Sequence, residues 1–290
     1  MKTAFIINPA AGRGRTERIW SKLRTDLPPG INAGEPYLTS GPGDAEKLAA
    51  RLSQGGYRQI FVFGGDGTVN EVLNGLQLNG TALGIVPTGT GNDLCRTLGV
   101  AKNPEEALRQ LARGKIKMVD MGLINGRRFL NAVGTGFDAE VVRVTNEQFR
   151  RLRGMPAYLA SLVKVLATYR SREITVETGD AEFTGKLLLA AVGNGRYIGG
   201  GLRMFPHARV DDGVFQVVLV GDVAKTQFIM SFPKIFSGTH LSHPRVSSFT
   251  ASKLVIKGDH TLAVQVDGEI ILHPPLEIEL VPKALPVLVP

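Results

Sequence analysis

The chain has almost no cysteine. Of its 290 residues only Cys95 carries a thiol, so a fold held by intrachain disulfides is excluded. That usage fits a reducing compartment, and a cytoplasmic protein is expected. Long apolar runs are also missing. Nothing approaches the ~20 residues that span a bilayer, and the longest candidate, Ala157–Tyr169, is interrupted by Lys164. The first residues, Met1–Pro9, are too short in their apolar part for a signal peptide and read as a first strand. Several catalytic patterns are absent. Without a G-x-x-x-x-G-K-[ST] loop, any nucleotide must be held differently from a P-loop enzyme. Neither HExxH nor a cysteine-rich zinc pattern occurs. A G-x-S-x-G elbow is lacking too, which argues against acyl-transfer hydrolysis. No internal repeat, low-complexity tract or long linker interrupts the chain.

What is present is a globular composition, 43% hydrophobic and 21% charged, in a chain long enough for two domains. The net charge of +8 favours anionic partners without choosing among nucleotide, nucleic acid and acidic membrane. Strand-like and helix-like segments alternate over residues 1–118. Examples are Ala4–Asn8, Thr16–Leu27, Asp44–Leu52 with Asp44 as N-cap, Ile60–Phe63, Asn70–Leu78, Ala82–Val86, and Pro104–Arg113 capped by Asn103. This predicts a Rossmann-like parallel α/β domain. Over 119–290 strand-like runs dominate, among them Phe129–Val133, Lys186–Val192 and Val214–Val220. Helices are expected near Ala139–Tyr169 and Val223–Phe236. This half reads as an antiparallel β-sandwich domain. A ligand and active site are expected in the cleft between the two domains.

Two glycine-rich acidic turns follow apolar runs: Gly64-Gly65-Asp66-Gly67-Thr68-Val69-Asn70-Glu71, and Pro87-Thr88-Gly89-Thr90-Gly91-Asn92-Asp93. Glycine lets backbone N–H groups approach a phosphate, and a neighbouring carboxylate suits Mg²⁺. The plainer reading of the first is a tight turn with Asp66 as a helix cap. Gly134-Thr135-Gly136-Phe137-Asp138-Ala139 matches a relaxed dinucleotide fingerprint but lies outside a βαβ unit, so no dinucleotide site is expected there. Asp267-Gly268-Glu269 is either a favoured hairpin turn or a pair of acids doing general-base work, and the residues alone favour the turn. Asp211-Asp212-Gly213 is likewise a turn before it is a hard-cation site. Arg143–Arg172 is rich in Arg and Lys, with Glu147 as its only acid. It is either a solvated face or a basic surface for anionic lipid. No nucleic-acid module accompanies it, so no nucleic-acid partner is expected.

Taken in order, these motifs resemble the bacterial diacylglycerol kinase-like lipid kinases, relatives of diacylglycerol and sphingosine kinases. The ordered set is Asn8-Pro9-Ala10-Ala11-Gly12, Leu38-Thr39-Ser40, Gly64–Glu71, Pro87–Arg96, Gly134–Ala139, Gly193–Tyr197, Asp211–Gly213, Asp267–Glu269 and Pro282–Leu285. The resemblance covers nearly the whole length. It implies an ATP- and Mg²⁺-dependent kinase acting on a lipid hydroxyl. The ATP contacts would be Asn8, Pro9, Ala10, Ala11, Gly12, Thr39, Gly65, Asp66, Gly67, Thr68, Val69, Asn70, Glu71, Thr90 and Asp93. Asp66 and Asp93 would work with the nucleotide and its Mg²⁺. Asp267 and Glu269 match the acidic pair at the acceptor hydroxyl, with Glu269 preferred as the base. A second, structural Mg²⁺ or Ca²⁺ is implied on Asp212 and the carbonyls of Arg209 and Val214. The resemblance also implies that residues 283–290 pack back on the first domain. It further implies peripheral contact with the inner face of the membrane, and it allows a homodimer. Leu94 and Cys95 depart from the usual Phe and Ala. The alternatives are a NAD kinase-like enzyme and a non-catalytic nucleotide- or lipid-binding regulator.

Overall fold

The computed structural model describes residues 2–32, 34–149 and 155–290. Two compact units are formed: residues up to Asp120 together with Lys283–Pro290, and Met121–Pro282.

In the first unit, Thr3–Ile7, Gln59–Gly64 and Ala82–Pro87 are continuous apolar runs, the pattern of strands covered on both faces. They lie parallel, with Thr3–Ile7 between Gln59–Gly64 and the edge strand Glu35–Leu38. Val287, near the end of the long strand Leu276–Val289, pairs in parallel with Leu83. The aromatic centre of this sheet is Phe5, with Trp20 at 4.6 Å and Phe61 at 5.6 Å between ring centroids. Gly84 makes room for it, since a Cβ there would stand 2.6 Å from the Phe61 ring.

Helices flank the sheet. Pro104–Arg113 has the expected bounds, and the Asn103 side chain accepts from the N–H groups of Glu105 and Glu106. The expected Thr16–Leu27 helix stops at Leu23, because Pro28 and Pro29 disfavour helix in the residues before them. Asp44 is the first residue of Asp44–Gln54 rather than its N-cap. The cap is Gly43 at φ +78°, and the Asp44 carboxylate instead accepts from Ser40 N and Oγ. The helix expected at Asn70–Leu78 runs Asp66–Gly75. It ends where a Cβ on Gly75 would lie 1.9 Å from Glu46 O, a contact that holds two helices close.

The second unit is antiparallel. Its strand order is Glu269–Leu272, Val264–Val266, Ala132–Gly136, Glu182–Gly193, Arg172–Thr178, Lys253–Gly258 and the first part of Leu276–Val289. Phe215–Gly221 lies between Glu182–Gly193 and Val246–Ala251. Alternation along Glu182–Gly193 feeds two cores. Ala190 and Val192 join one with Phe129, Phe215 and Ile256, while Leu189 and Ala191 join another with Phe137, Tyr158 and Leu162. The run expected as one strand at Phe129–Val133 is broken after Phe129. The N–H groups of Leu130 and Asn131 leave the ladder to serve the Asp267 carboxylate. The helical stretch expected near Ala139–Tyr169 holds helix Phe137–Gln148 and helix Met155–Thr168. Lys225–Ser231 and Lys234–Ser237 are likewise separate, with Pro233 between them. Among the described residues no helix is long and apolar enough to cross a membrane.

Candidate active site

Four of the parallel strands of the first unit each deliver an expected nucleotide contact at the carboxyl end. Asn8 follows Thr3–Ile7, Thr39 follows Glu35–Leu38, Gly65 follows Gln59–Gly64, and the Thr88–Asp93 loop follows Ala82–Pro87. That edge is where open α/β sheets take their ligands.

The loops meet backbone to backbone. Asn8 Nδ2 donates to Thr68 Oγ1 at 2.8 Å, and Asn8 N donates to Phe63 O at 3.0 Å. The N–H groups of Thr88 and Gly89 both donate to Gly64 O, at 3.0 and 3.1 Å. A Cβ on Gly12 would lie 2.2 Å from Thr88 O, and one on Gly89 would lie 2.4 Å from Gly65 Cα. Only glycine fits this seam, and Gly12 also sits at φ +57°. Thr88 Oγ1 is buried without a hydrogen-bond partner among the described residues. A glycine cradle at the end of a parallel sheet fits the phosphates of a nucleotide.

Asp66 begins its own helix but caps another. Its Oδ2 accepts the Asn92 N–H at 2.8 Å and its Oδ1 accepts the Asp93 N–H at 3.1 Å, at the start of Asp93–Leu98. Its own helix has Gly65 as N-cap, with no side-chain bond. A Cβ on Gly91 would strike Asp66 Oδ2 at 2.5 Å, so that glycine is the opening through which the carboxylate reaches the second loop. Asn92 turns at φ +54° with its Nδ2 on Gly89 O at 2.9 Å. Asp93 is buried, 3.4 Å from Arg96 Nη1. Cys95 is buried beside it, and burial pushes its thiol pKa well up, the setting of a packing cysteine.

The remaining expected contacts differ in accessibility. Pro9, Ala11, Gly65 and Gly67 are partly exposed, and Ala10 and Thr90 are exposed. Val69 belongs to the buried core, and Asn70 is buried with Asn74 Nδ2 on its carbonyl and side-chain oxygens. Glu71 Oε2 accepts the Ala45 N–H at 3.2 Å, supporting the start of Asp44–Gln54.

In the second unit, Asp267 and Gly268 form a tight hairpin with φ +50° and +90°, between Val264–Val266 and Glu269–Leu272. The Asp267 carboxylate accepts three backbone donors: Leu130 N at 3.1 Å, Asn131 N at 3.0 Å and Ala132 N at 2.9 Å. Asn194 Nδ2 holds the same segment through Leu130 O at 2.8 Å, and Asn131 Nδ2 donates to Tyr197 O at 2.9 Å. These bonds give the Gly193–Tyr197 motif a structural purpose that the sequence did not disclose. Glu269 lies 3.8 Å from an Arg127 guanidinium nitrogen, with 40% of its side chain exposed.

At the other acidic corner, Asp212 Oδ1 accepts the Val214 N–H at 3.3 Å, and Gly213 has φ +79°. Asp211 lies 3.7 Å from Arg209 Nε. Among the described residues no group of three or more His, Cys, Asp or Glu is placed to hold a metal. The basic stretch is partly neutralised. Arg143 pairs with Glu140 and Glu147, and Lys164 bonds Gln148, while Arg150, Arg151 and Arg153 lie outside the described residues. Leu159 and Val163 of this stretch are exposed, and so, on the short helices after Gly221, are the apolar side chains Ile229, Met230 and Phe236. The sequence reading did not single out these last three, although Ile229-Met230 beside Lys225 was a visible signal.

Residues 2–124 match the diacylglycerol kinase catalytic domain, and residues 131–289 match the YegS C-terminal NAD kinase beta sandwich-like domain. The diacylglycerol kinase of Staphylococcus saprophyticus is 30% identical over 272 residues, covering 92% of this chain and 88% of that protein. The diacylglycerol kinase of Bacillus subtilis is 27% identical over 273 residues, covering 93% and 90%. A crystal structure of a diacylglycerol kinase from Bacillus anthracis is similar at TM-score 0.76 and 26% identity, over 100% of this chain and 97% of that one. Kinases of this kind use a nucleotide and a divalent metal. The likeness runs through both units and almost end to end, and the chain belongs to the diacylglycerol kinase-like family of lipid kinases.

Proposed function

We propose that the chain transfers the γ-phosphoryl group of ATP, with Mg²⁺, to a hydroxyl of a diacylglycerol-like lipid. One observation carries the reading: four strand ends bring Asn8–Gly12, Thr39, Gly65–Thr68 and Thr88–Asp93 to one sheet edge, with Gly12, Gly65 and Gly89 at the closest approaches. In this reading the loop amides and the Thr68 and Thr90 hydroxyls hold the phosphates. Asp66 fixes the second loop, and Asp93 stands by the nucleotide. The divalent ion, when bound, withdraws negative charge from the phosphates. Glu269 takes the hydroxyl proton. Asp267 is unsuited to that step because its lone pairs already accept three amides.

The lipid substrate is drawn from a bilayer surface. Ile229 and Met230 are 61% and 79% exposed on a segment that also carries Lys225 and Lys234, which suits an anionic inner membrane face. Replacing Ile229 and Met230 by Gln should release the protein from phosphatidylglycerol vesicles in a flotation assay, and unchanged flotation would remove this part. For the second ion at Arg209, Asp212 and Val214, Asp212 supplies one carboxylate and backbone carbonyls would supply the rest. Identical melting with and without Mg²⁺ or Ca²⁺ would dismiss it.

The activity is tested by mass spectrometry of a lipid panel after incubation with ATP and Mg²⁺, with NAD as a parallel substrate. A phosphorylated lipid that requires both ATP and Mg²⁺ is expected. Phosphorylated NAD alone would indicate the NAD kinase-like alternative. Bound ATP without any product would indicate a non-catalytic regulator.

A further inference from the structure

The Gly134–Ala139 stretch is left unused by the function above, and the structure gives its first glycine another purpose. Gly134 and Gln265 are register partners on neighbouring strands. A Cβ on Gly134 would lie 1.7 Å from Asp138 Oδ2 and 2.9 Å from Gln265 Nε2. The space left by the missing side chain is where a carboxyl and an amide meet, with Gln265 Nε2 donating to Asp138 Oδ2 at 3.4 Å. Both side chains are buried. The other end of the Gln265 amide is also engaged, because Oε1 accepts the Gly268 N–H at 2.9 Å. Gly268 is the centre of the hairpin between Asp267 and Glu269.

A carboxamide has a donor end and an acceptor end. Asp138 Oδ2 presents an acceptor, so Nε2 faces it and Oε1 faces Gly268. With the amide reversed, an NH₂ group would oppose the Gly268 N–H. The Gly268 N–H asks for the same orientation, and Asp138 secures it from the other end of the amide. We propose that Asp138 is a positioning residue for the acidic hairpin: by orienting the Gln265 amide it fixes the turn at Gly268, and with it Glu269. The proposal rests on the reading that Glu269 is the proton acceptor. The surroundings are those of a buried structural acid. Asp138 borders an apolar cavity with Phe137, Leu189, Phe228 and Phe232, and its Oδ1 has no hydrogen-bond partner among the described residues. Burial pushes its pKa up to about 7, against the opposing pull of Gln265 and of the N–H groups of Ala139 and Asp138. A protonated carboxyl keeps an acceptor oxygen for Gln265.

The test combines amide hydrogen exchange over residues 264–272 with steady-state kinetics in Asp138→Ala, Gln265→Leu, the double variant and Asp138→Asn. Each of the first two should speed exchange at Gly268 about tenfold or more and lower kcat about tenfold, with KM for ATP within about twofold. The double variant should be no worse than either single one, because both break the same link. Asp138→Asn, which retains an oxygen for Gln265, should recover most of the lost rate. Unchanged exchange at Gly268 in Gln265→Leu, or multiplicative losses in the double variant, would overturn the proposal even if Asp138→Ala failed to fold. The exchange measurement is independent of Glu269. An active Glu269→Gln protein with altered exchange in the Asp138 variants would refute the proton-acceptor reading and leave the link to the turn standing.

Discussion

Asp66 in the first unit and Asp267 in the second stand in similar glycine-flanked acidic turns and do similar work. Asp66 accepts the N–H groups of Asn92 and Asp93, and Asp267 accepts those of Leu130, Asn131 and Ala132. Glu269, two residues past Asp267, lies 3.8 Å from an Arg127 guanidinium nitrogen and keeps 40% of its side chain exposed. Asp138 is a third kind, fully buried and held chiefly by one amide. Acids of one chemical class thus divide by surroundings. Those met by backbone donors clamp loops, the solvent-accessible one suits proton transfer, and the buried one sets an orientation.

That division can be broken in graded steps. Asp267→Ala leaves three backbone donors without their charged acceptor, and a loss of about 3–5 kcal/mol in urea unfolding is expected. A loss below about 1 kcal/mol would show that the carboxylate is no clamp. Asp138→Asn should act in the opposite direction and depend on pH. The ordinary carboxyl value is 3.8 and the folded value about 7. Below about pH 4 both states are protonated and the acid costs nothing. Between about pH 4 and 7 the unfolded chain has released its proton while the fold retains it. Wild-type stability therefore falls by roughly 1.4 kcal/mol per pH unit, to a total near 4 kcal/mol, and then levels off. The variant lacks this titration, so its advantage should grow through that window. Titrating groups nearby include Tyr169, pushed up to about 12 by burial and then by Asp138, and His240, which lines the same cavity and is pushed down by burial. An advantage constant from pH 4 to 7.5 would contradict the account. Asp66→Ala, which leaves the Asn92 and Asp93 N–H groups without their acceptor, should cost about 2–4 kcal/mol and weaken ATP binding in calorimetry. Lost activity at unchanged stability would make Asp66 a ligand only, and would separate it from Asp267.

The fold was readable where local rules decide. Apolar runs marked the parallel strands, and Asn103-Pro104 marked a helix start that the structure reproduces. Edge strands were not readable. Glu35–Leu38 contains Pro36 and is mostly exposed, and Val246–Ala251 is polar through Ser247 and Ser248, so neither shows a buried run. Lys115–Ile124 was hidden by Lys115, Lys117 and Asp120. The glycine loops were legible as chemistry, because a strand ending in Gly-Gly-Asp-Gly-Thr limits what can follow. What Asp66, Glu71 and Asp267 grip was not legible. Their partners Asn92, Ala45 and Leu130 are distant in sequence, and only the tertiary fold brings them near. The fingerprint at Gly134 illustrates the same limit, since its glycine serves a side-chain meeting that no local pattern announces.

The sharpest measurement is single-turnover phosphoryl transfer from ATP to diacylglycerol in wild type and Glu269→Gln, with melting temperature and ATP affinity taken on the same samples. The transfer rate should fall by about 10²–10⁴-fold while the other two quantities stay unchanged. A variant that transfers phosphate within about threefold of wild type would contradict the assignment of Glu269 as proton acceptor.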